Sequence, residues 1–297
     1  MKRAFVSIGE CMVEMAPTSD GSYRLGFAGD TLNTAWYMRR GLGADWDVSY
    51  VTAVGEDEIS RRMTDFIAAA GIRTDFVRRL PDKTVGLYLI QLNEGERSFA
   101  YWRADSAARR LAADPAALET ALRSAGLVYF SGITLAILSE DDRATLLGAI
   151  ARARHGGATV AFDPNLRPRL WPTREQMCDA VMAAAALSDI VLPSHDDEAV
   201  AFGDADPAAT ARRYAEAGAP VVVVKNGAGD MTSRAGGRED THAPVRVDKV
   251  VDTTAAGDSF NAGFLAGHLS HGDLARAIRD GAGLAAKVVS HRGALVE

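Results

Sequence analysis

Short apolar segments rich in β-branched residues alternate along the chain with longer segments of mixed polarity. The apolar segments are typical of strands buried on both faces of a sheet. They are Ala4–Ile8, Ser49–Val54, Leu127–Ser131, Thr159–Asp163, Ile190–Pro193 and Val221–Lys225, followed by Met231–Ala235 and Arg238–His242. The segments of mixed polarity predict helices at Thr31–Arg40, Ser60–Ala70, Pro115–Ala125, Glu140–Arg154, Arg174–Leu187, Pro207–Ala217, Gly257–Ser270 and Leu274–Ser290.

This alternation of strands and helices predicts an α/β fold, with a mainly parallel sheet covered by helices on both faces. Several of the predicted helices are followed by glycine, the residue favoured just past a helix end. These glycines are Gly41, Gly71, Gly126, Gly156 and Gly218.

Two regions break the alternation, because strand-like segments follow one another there without a helix. Thr84–Leu92 and Arg97–Trp102 are joined by Asn93-Glu-Gly-Glu96, a hairpin-type turn. Glu10–Ala16 and Tyr23–Phe27 form a second pair. We therefore predict a small β-sheet, within about residues 10–27 and 84–103, that projects as a lid and excludes water from a site beneath it. An edge hairpin without a lid function is the alternative.

Length and composition fit an enzyme made of one α/β domain over residues 1–297, since 47% of the residues are apolar and 24% are charged. The net charge of −6 gives no electrostatic reason to bind nucleic acid or anionic membranes. An anionic substrate would therefore need locally placed arginine or lysine. Cys11 and Cys178 lie in no metal-binding spacing, and we expect reduced thiols. With no signal peptide or membrane span expected, the predicted location is cytoplasmic.

The run from Thr253 to Phe264 carries the strongest chemical signal, because small residues cluster where a loop becomes a helix. Ala255, Ala256 and Gly257 leave backbone N–H groups uncovered at the helix start, where anions bind. Asp258 follows in the first turn. A carboxylate base beside an anion hole is what phosphoryl transfer to a hydroxyl requires. The alternative is that Asp258 only complements the helix N-terminus.

Three motifs resemble those of the ribokinase-like, or PfkB, carbohydrate kinases. Asp252-Thr-Thr-Ala-Ala-Gly-Asp258 is similar to the signature Asp-Thr-x-Gly-Ala-Gly-Asp, with Ala255 in place of its first glycine. We expect this alanine to be tolerated if its φ is negative. Ala28-Gly-Asp-Thr-Leu-Asn33 resembles the substrate motif Gly-Gly-x-x-x-Asn, and Lys225-Asn-Gly-Ala-Gly229 resembles a nucleotide-binding turn. The resemblance implies a three-layer α/β/α sandwich, with ATP and Mg²⁺ as cofactors.

Within this family, the sequence resembles the members that phosphorylate 2-keto-3-deoxygluconate. The resemblance is carried by stretches such as Ile8-Gly-Glu-Cys-Met12, Tyr101-Trp-Arg103 and Asp163-Pro-Asn-Leu-Arg-Pro-Arg-Leu-Trp171. It implies transfer of phosphate from ATP to 2-dehydro-3-deoxy-D-gluconate, giving the 6-phosphate. Other sugars of this family stay open: 2-keto-3-deoxygalactonate, fructose or ribose. A catalytically silent sugar sensor is a further alternative, although Asp258 argues against it.

A dinucleotide-binding oxidoreductase is another alternative, and the residues after the first strand argue against it. Phe5–Ile8 leads into Gly9-Glu-Cys-Met12, and a dinucleotide-binding fold would have a Gly-x-Gly-x-x-Gly turn there.

The resemblance also implies roles for individual residues. Arg103 and Arg167 are the candidates for the substrate carboxylate, since arginine binds carboxylates through two hydrogen bonds. Arg167 is alternatively a phosphate ligand, and Asp30 is alternatively an N-cap. The residues expected to bind the substrate are Ala28, Gly29, Asp30, Asn33, Tyr88, Tyr101, Arg103 and Arg167, together with the catalytic Asp258. The nucleotide set, which shares Arg167 and the Ala255–Gly257 loop, is Asn165, Lys225, Asn226, Gly227, Ala228, Gly229 and Asp230.

Three expectations concern ions and partners. Ser194-His-Asp-Asp197 stands where the family has an Asn-x-x-Glu element that orients metal-bound water, and no dedicated protein metal site is expected. A monovalent cation such as K⁺ near the Asp252 loop is left open. Because the edge of an open lid sheet needs to be covered, we expect a homodimer or higher oligomer formed through the lid.

Overall fold

A twisted sheet of nine strands forms the middle layer of the computed structural model, which describes residues 3–93 and 96–297. The strands of the chain are β1 (Arg3–Ile8), β2 (Met12–Pro17), β3 (Tyr23–Ala28), β4 (Trp46–Val54), β5 (Val77–Arg79), β6 (Gly86–Asn93), β7 (Glu96–Trp102), β8 (Ala125–Ser131), β9 (Thr159–Asp163), β10 (Ile190–Val191), β11 (Val221–Val224), β12 (Met231–Ala235) and β13 (Arg238–His242). The helices are α1 (Asp30–Gly41), α2 (Glu58–Ala69), α3 (Pro115–Leu122), α4 (Gly132–Ile137), α5 (Glu140–His155), α6 (Arg174–Ala186), α7 (His195–Phe202), α8 (Pro207–Glu216), α9 (Ala256–His271) and α10 (Leu274–Val289).

The order of the main sheet is β13-β12-β11-β10-β9-β8-β1-β4-β5, and the pairs from β11 to β5 are parallel. Successive side chains of each strand point to opposite faces. Val128 and Phe130 of β8 belong to one buried apolar cluster, while Leu127 and Tyr129 belong to another. Both faces are therefore covered, and the predicted parallel α/β sheet is confirmed.

The second sheet has the order β3-β2-β6-β7, so the small separate sheet expected from the sequence is confirmed. Its strand β2 follows β1 after only Gly9, Glu10 and Cys11, and β3 leads directly into α1. This connection places the small sheet beside the carboxyl ends of the main strands. The predicted turn Asn93-Glu-Gly-Glu96 includes residues 94–95, which lie outside the described residues.

Short elements were missed because they show no periodicity. The strand β5 has three residues and the helix α4 has six. Two of the predicted glycine helix ends were wrong: Gly126 lies inside β8, because α3 ends earlier than expected, and Gly41 is still helical. Gly71 and Gly218 follow helices with φ of +77° and +109°, the left-handed conformation that favours glycine. None of the described helices has the length and apolar character needed to cross a bilayer.

Candidate active site

A cavity of about 300 Å³ lies between the small sheet and the carboxyl ends of β1, β9 and β11. Ligands of open α/β sheets bind at this edge. Most residues of both predicted sets line it: Gly29, Asp30, Asn33, Tyr88, Tyr101, Arg103, Asn165, Arg167, Lys225, Ala255, Ala256, Gly257 and Asp258. The cavity is also lined by residues that the sequence motifs did not indicate: Glu10, Met12, Phe99, Ile133, Asp163, Thr253 and Thr254. Ser194 and Asp197, predicted only as the counterpart of an Asn-x-x-Glu element, line it as well.

Some predicted residues lie elsewhere. Ala28 is buried in a small apolar cluster at the base of the small sheet, together with Met12, Tyr88, Ile90 and Ala294. The turn between β11 and β12 closes on itself, since Gly229 N donates to Asn226 O at 2.7 Å and Asn226 Nδ2 donates to Asp230 O at 3.0 Å. Its contact with a nucleotide stays a prediction.

The start of α9 forms the floor of the cavity. Ala256 N donates to Thr253 O, and the first hydrogen bond within the helix runs from Ser259 N to Ala255 O. The N–H groups of Gly257 and Asp258 lie before that bond, so helix geometry leaves them without an intrahelical acceptor. The candidate anion hole therefore consists of the N–H groups of Gly257 and Asp258, while Ala256 donates its N–H within the loop.

Ala255 has φ +59° and ψ 17°, so the condition of a negative φ, under which we expected this alanine to be tolerated, is not met. A left-handed conformation costs an alanine about 1 kcal/mol, because its Cβ crowds the following carbonyl. The side chain packs against the cluster at the base of the small sheet. Asp252 holds the loop from the other side, because it accepts hydrogen bonds from Thr254 N at 3.0 Å and from Gly293 N at 2.7 Å.

Asp258 lies opposite the start of α1, where Asn33 Nδ2 donates to its Oδ2 at 2.8 Å. Burial raises the pKa of Asp258 to about 7, and the nearby Asp30 carboxylate adds to this shift. Asp30 itself accepts from Asn165 Nδ2 at 2.8 Å. A carboxylate with a pKa near neutrality is well suited to accept a proton from an alcohol.

Lys225 extends from the end of β11 toward α9, away from the turn that follows it. Its Nζ donates to Asp163 Oδ2 at 2.8 Å and to Asn261 Oδ1 at 3.1 Å. The same Nζ lies 3.5 Å from the position that a Cβ on Gly257 would take. A buried ammonium group therefore lies next to the anion hole. Asn261 was not predicted from the sequence. Its position one turn after Asp258, on the same face of α9, would have indicated it.

The two predicted arginines lie on different walls. Arg103, at the end of the lid sheet, is nine-tenths buried and forms an ion pair with Glu10. Arg167 is about half exposed, and its Nη1 lies 3.4 Å from Asp197 Oδ2. Tyr88, Phe99 and Tyr101 form an aromatic wall, with ring centroids 6.0–6.2 Å apart. The cavity thus combines an acidic floor, cationic walls and an aromatic cover.

Comparisons with known proteins identify the family. The model of the pfkB family of carbohydrate kinases matches residues 2–296. The chain belongs to the PfkB family.

Within this family, it is 40% identical to a 2-dehydro-3-deoxygluconokinase of Dickeya dadantii, over 97% of this chain and 95% of that one. It is 37% identical to another of Haemophilus influenzae, over 98% and 94%. The crystal structure of a PfkB protein from Polaromonas sp. JS666 matches with a TM-score of 0.83 and 27% identity, over 97% and 96%. The resemblance inferred from the three motifs, and the three-layer sandwich that it implied, are confirmed.

We predict that Ala255→Gly raises the free energy of unfolding by about 1 kcal/mol, because it relieves the left-handed strain. Ala256→Gly is the matched control, since Ala256 is helical and glycine there is expected to destabilise by about 0.5–1 kcal/mol. Urea unfolding of the three proteins measures both values. Equal destabilisation by the two glycines would contradict the strain assigned to Ala255.

We predict that Lys225→Met lowers kcat about 100-fold, as loss of one oxyanion-stabilising group does elsewhere, and also lowers stability, because Asp163 is left buried without its cation. The double variant Lys225→Met/Asp163→Asn removes both charges. It is expected to recover much of the stability while kcat stays low. Recovery of kcat together with stability would show that Lys225 acts only in folding. Steady-state kinetics and urea unfolding provide both readouts.

Proposed function

We propose that this chain uses ATP to phosphorylate 2-dehydro-3-deoxy-D-gluconate at its terminal hydroxyl, giving the 6-phosphate and ADP. The observation that carries the proposal is the position of Asp258, at the anion hole of α9 and in the same cavity as Arg103 and Arg167. The relatives of 37–40% identity are named 2-dehydro-3-deoxygluconokinases and match over nearly their full length. Residues 1–297 act as one kinase domain in this proposal.

Asp258 is the proposed base. Asn33 occupies its Oδ2, and the other carboxylate oxygen is therefore the one proposed to accept the proton of the attacking hydroxyl. The N–H groups of Gly257 and Asp258 are aligned with the positive end of the α9 dipole, where charge on the transferred phosphoryl group is stabilised. The ammonium group of Lys225 adds a fixed positive charge beside them.

The sugar acid is proposed to lie between the floor and the aromatic wall. Arg103 and Arg167 bind its carboxylate, while Gly29, Asp30 and Asn33 hold its hydroxyl groups. Tyr88 and Tyr101 cover it from the side of the small sheet, together with Phe99, whose ring is about equally close to both tyrosines. We propose that the small sheet acts as the lid, because it supplies this wall and would exclude water from the transfer.

The nucleotide is proposed to enter from the β11 side, past Asn165 and the turn from Asn226 to Asp230. The donor set fits Mg²⁺, since Ser194 and Asp197 bring only oxygen atoms to this part of the cavity. Mg²⁺ is commonly held by one or two carboxylates together with waters and substrate phosphates. When bound, it would neutralise charge on the phosphates. Asp197 is the residue we assign to it, through water.

Three expectations of the sequence analysis stay predictions: a monovalent cation near the Asp252 loop, pairing of chains through the lid sheet, and a cytoplasmic location.

The proposed reaction is tested by steady-state kinetics of the purified chain with ATP and Mg²⁺. The substrates are 2-dehydro-3-deoxy-D-gluconate, its galacto epimer, fructose and ribose. We expect the highest kcat/KM for the two keto-deoxy acids, because only they carry the carboxylate that the arginines bind. Faster turnover of fructose or ribose would contradict the proposal. Absence of turnover with every substrate would favour the sugar sensor.

We predict that Asp258→Asn lowers kcat by about 10²–10⁴-fold, because the asparagine cannot accept the proton. Binding of ATP, measured by calorimetry, should stay unchanged. In the wild type, kcat measured at saturating sugar acid should rise with pH up to about 7 and level off above it, since the base must be ionised and burial raises its pKa to about 7. A variant with the wild-type rate would refute the role of Asp258.

A further inference from the structure

Glu10 is a buried carboxylate to which the proposed mechanism gives no part. It is 2% exposed and lies in the three-residue connection between the main sheet and the lid sheet. Its backbone is tightly confined, because a Cβ on Gly29 would lie only 2.1 Å from Glu10 O. Gly29 is the second residue of the substrate motif, so the position of Glu10 is fixed relative to the proposed substrate site.

The Glu10 side chain binds the end of the lid sheet. Its Oε2 accepts a hydrogen bond from Arg103 Nη2, and its Oε1 accepts one from Ser106 Oγ. The contact is closely packed, since a Cβ on Gly86 would lie 2.9 Å from Glu10 Oε1 and 3.2 Å from Arg103 Cβ. Glu10 therefore directly contacts the arginine that we assign to the substrate carboxylate.

The ion pair with Glu10 does not use all the hydrogen-bond donors of the Arg103 guanidinium group. Its Nε is buried and has no hydrogen-bond partner among the described residues. A buried donor without an acceptor is costly, and a bidentate carboxylate would satisfy Nε together with a neighbouring nitrogen. The arginine thus has unused capacity for a second carboxylate, and it lines the cavity.

The charges around Glu10 come from several elements. Arg103 and, at longer range, Arg109 are the cations that act on it, while Cys11 and Tyr50 are the other titratable groups that sense its charge. Burial raises the pKa of Glu10, and the charge of Arg103 counteracts this most strongly. An anion that pairs with Arg103 in place of Glu10 therefore makes the ionised form of Glu10 less stable.

We propose that Glu10 sets the affinity for the sugar acid by competing with the substrate carboxylate for Arg103, and that it takes up a proton from solvent when the acid binds. This inference rests on the proposed function. The competition weakens binding of every small anion, so only a ligand that also fits the hydroxyl-binding residues displaces Glu10. Glu10 is in this sense a residue that determines specificity without touching the reacting atoms.

Two consequences follow with a definite sign. Loss of its partner raises the pKa of Glu10, so protons are taken up on binding and the sugar acid binds more tightly as the pH falls. Glu10→Gln keeps the shape and one acceptor for Arg103, but removes the competing charge. The KM for the sugar acid should then fall about tenfold, because the variant loses a negative charge that lies close to Arg103 in a buried site. The value of kcat should change much less.

The first measurement is the proton uptake on binding, compared between the wild type and two variants. Calorimetric titration with 2-dehydro-3-deoxy-D-gluconate near pH 7, in two buffers of different ionisation enthalpy, reports the protons taken up. We expect the wild type to take up more protons than Glu10→Gln, in which only Asp258 can contribute, and we expect tighter binding of inorganic phosphate by that variant. Asp189→Asn is the control, because it removes an ion-paired carboxylate just before β10, at the amino end of the strand and outside the cavity. It should behave like the wild type.

The outcomes separate the two proposals. A wild type that does not phosphorylate the sugar acid would refute the proposed function. An active wild type without proton uptake, or a Glu10→Gln variant whose KM is unchanged or higher, would refute the competition alone. If Glu10→Gln does not fold, the proton uptake of the wild type and the pH dependence of its KM decide the question.

Discussion

The ion pair between Lys225 and Asp163, shared with Asn261, is the interaction on which the rest of the site depends. It joins the ends of β11 and β9 to the helix α9, and Asn261 extends it to the hydroxyl of Tyr129 at 3.0 Å. A buried ion pair contributes little to stability once its desolvation is counted. Its retention here is better explained by position: it fixes the first turn of α9, which carries the proposed base and anion hole, against the sheet.

The same pair moderates an accumulation of negative charge. Asp30, Asp163 and Asp258 surround one small cavity, and the first and second of these both raise the pKa of Asp258. A cavity intended only for a neutral sugar would gain little from three carboxylates. A site that must accept a proton and bind polyphosphate needs both signs of charge close together, and local placement matters more here than the net charge of −6.

The sequence predicted those parts of the molecule that follow from short-range patterns. β9, β12 and β13 have the predicted bounds, and the motif around Asp258 located the floor of the cavity. Contacts between distant segments were not predictable in this way. The direction of the Lys225 side chain, the pairing of Glu10 with Arg103 and the hydrogen bond from Asn33 to Asp258 each join residues from different elements. The φ of Ala255 was not predictable either, because alanine by itself favours a negative φ, whereas the surrounding structure holds it in the left-handed conformation.

Packing also explains how the lid sheet and the loop from Asp252 to Ala255 are held in fixed positions relative to each other. Ala294 lies in one apolar cluster with Met12 and Tyr88 of the lid sheet, and the preceding Gly293 donates its N–H to Asp252 at 2.7 Å. Ala255 packs on the same cluster. Because closely packed groups cannot move independently, a displacement of the lid base must be transmitted to the loop beside Asp258. The replacement of a family glycine by Ala255 therefore adds a contact between lid and floor, at the cost of local strain.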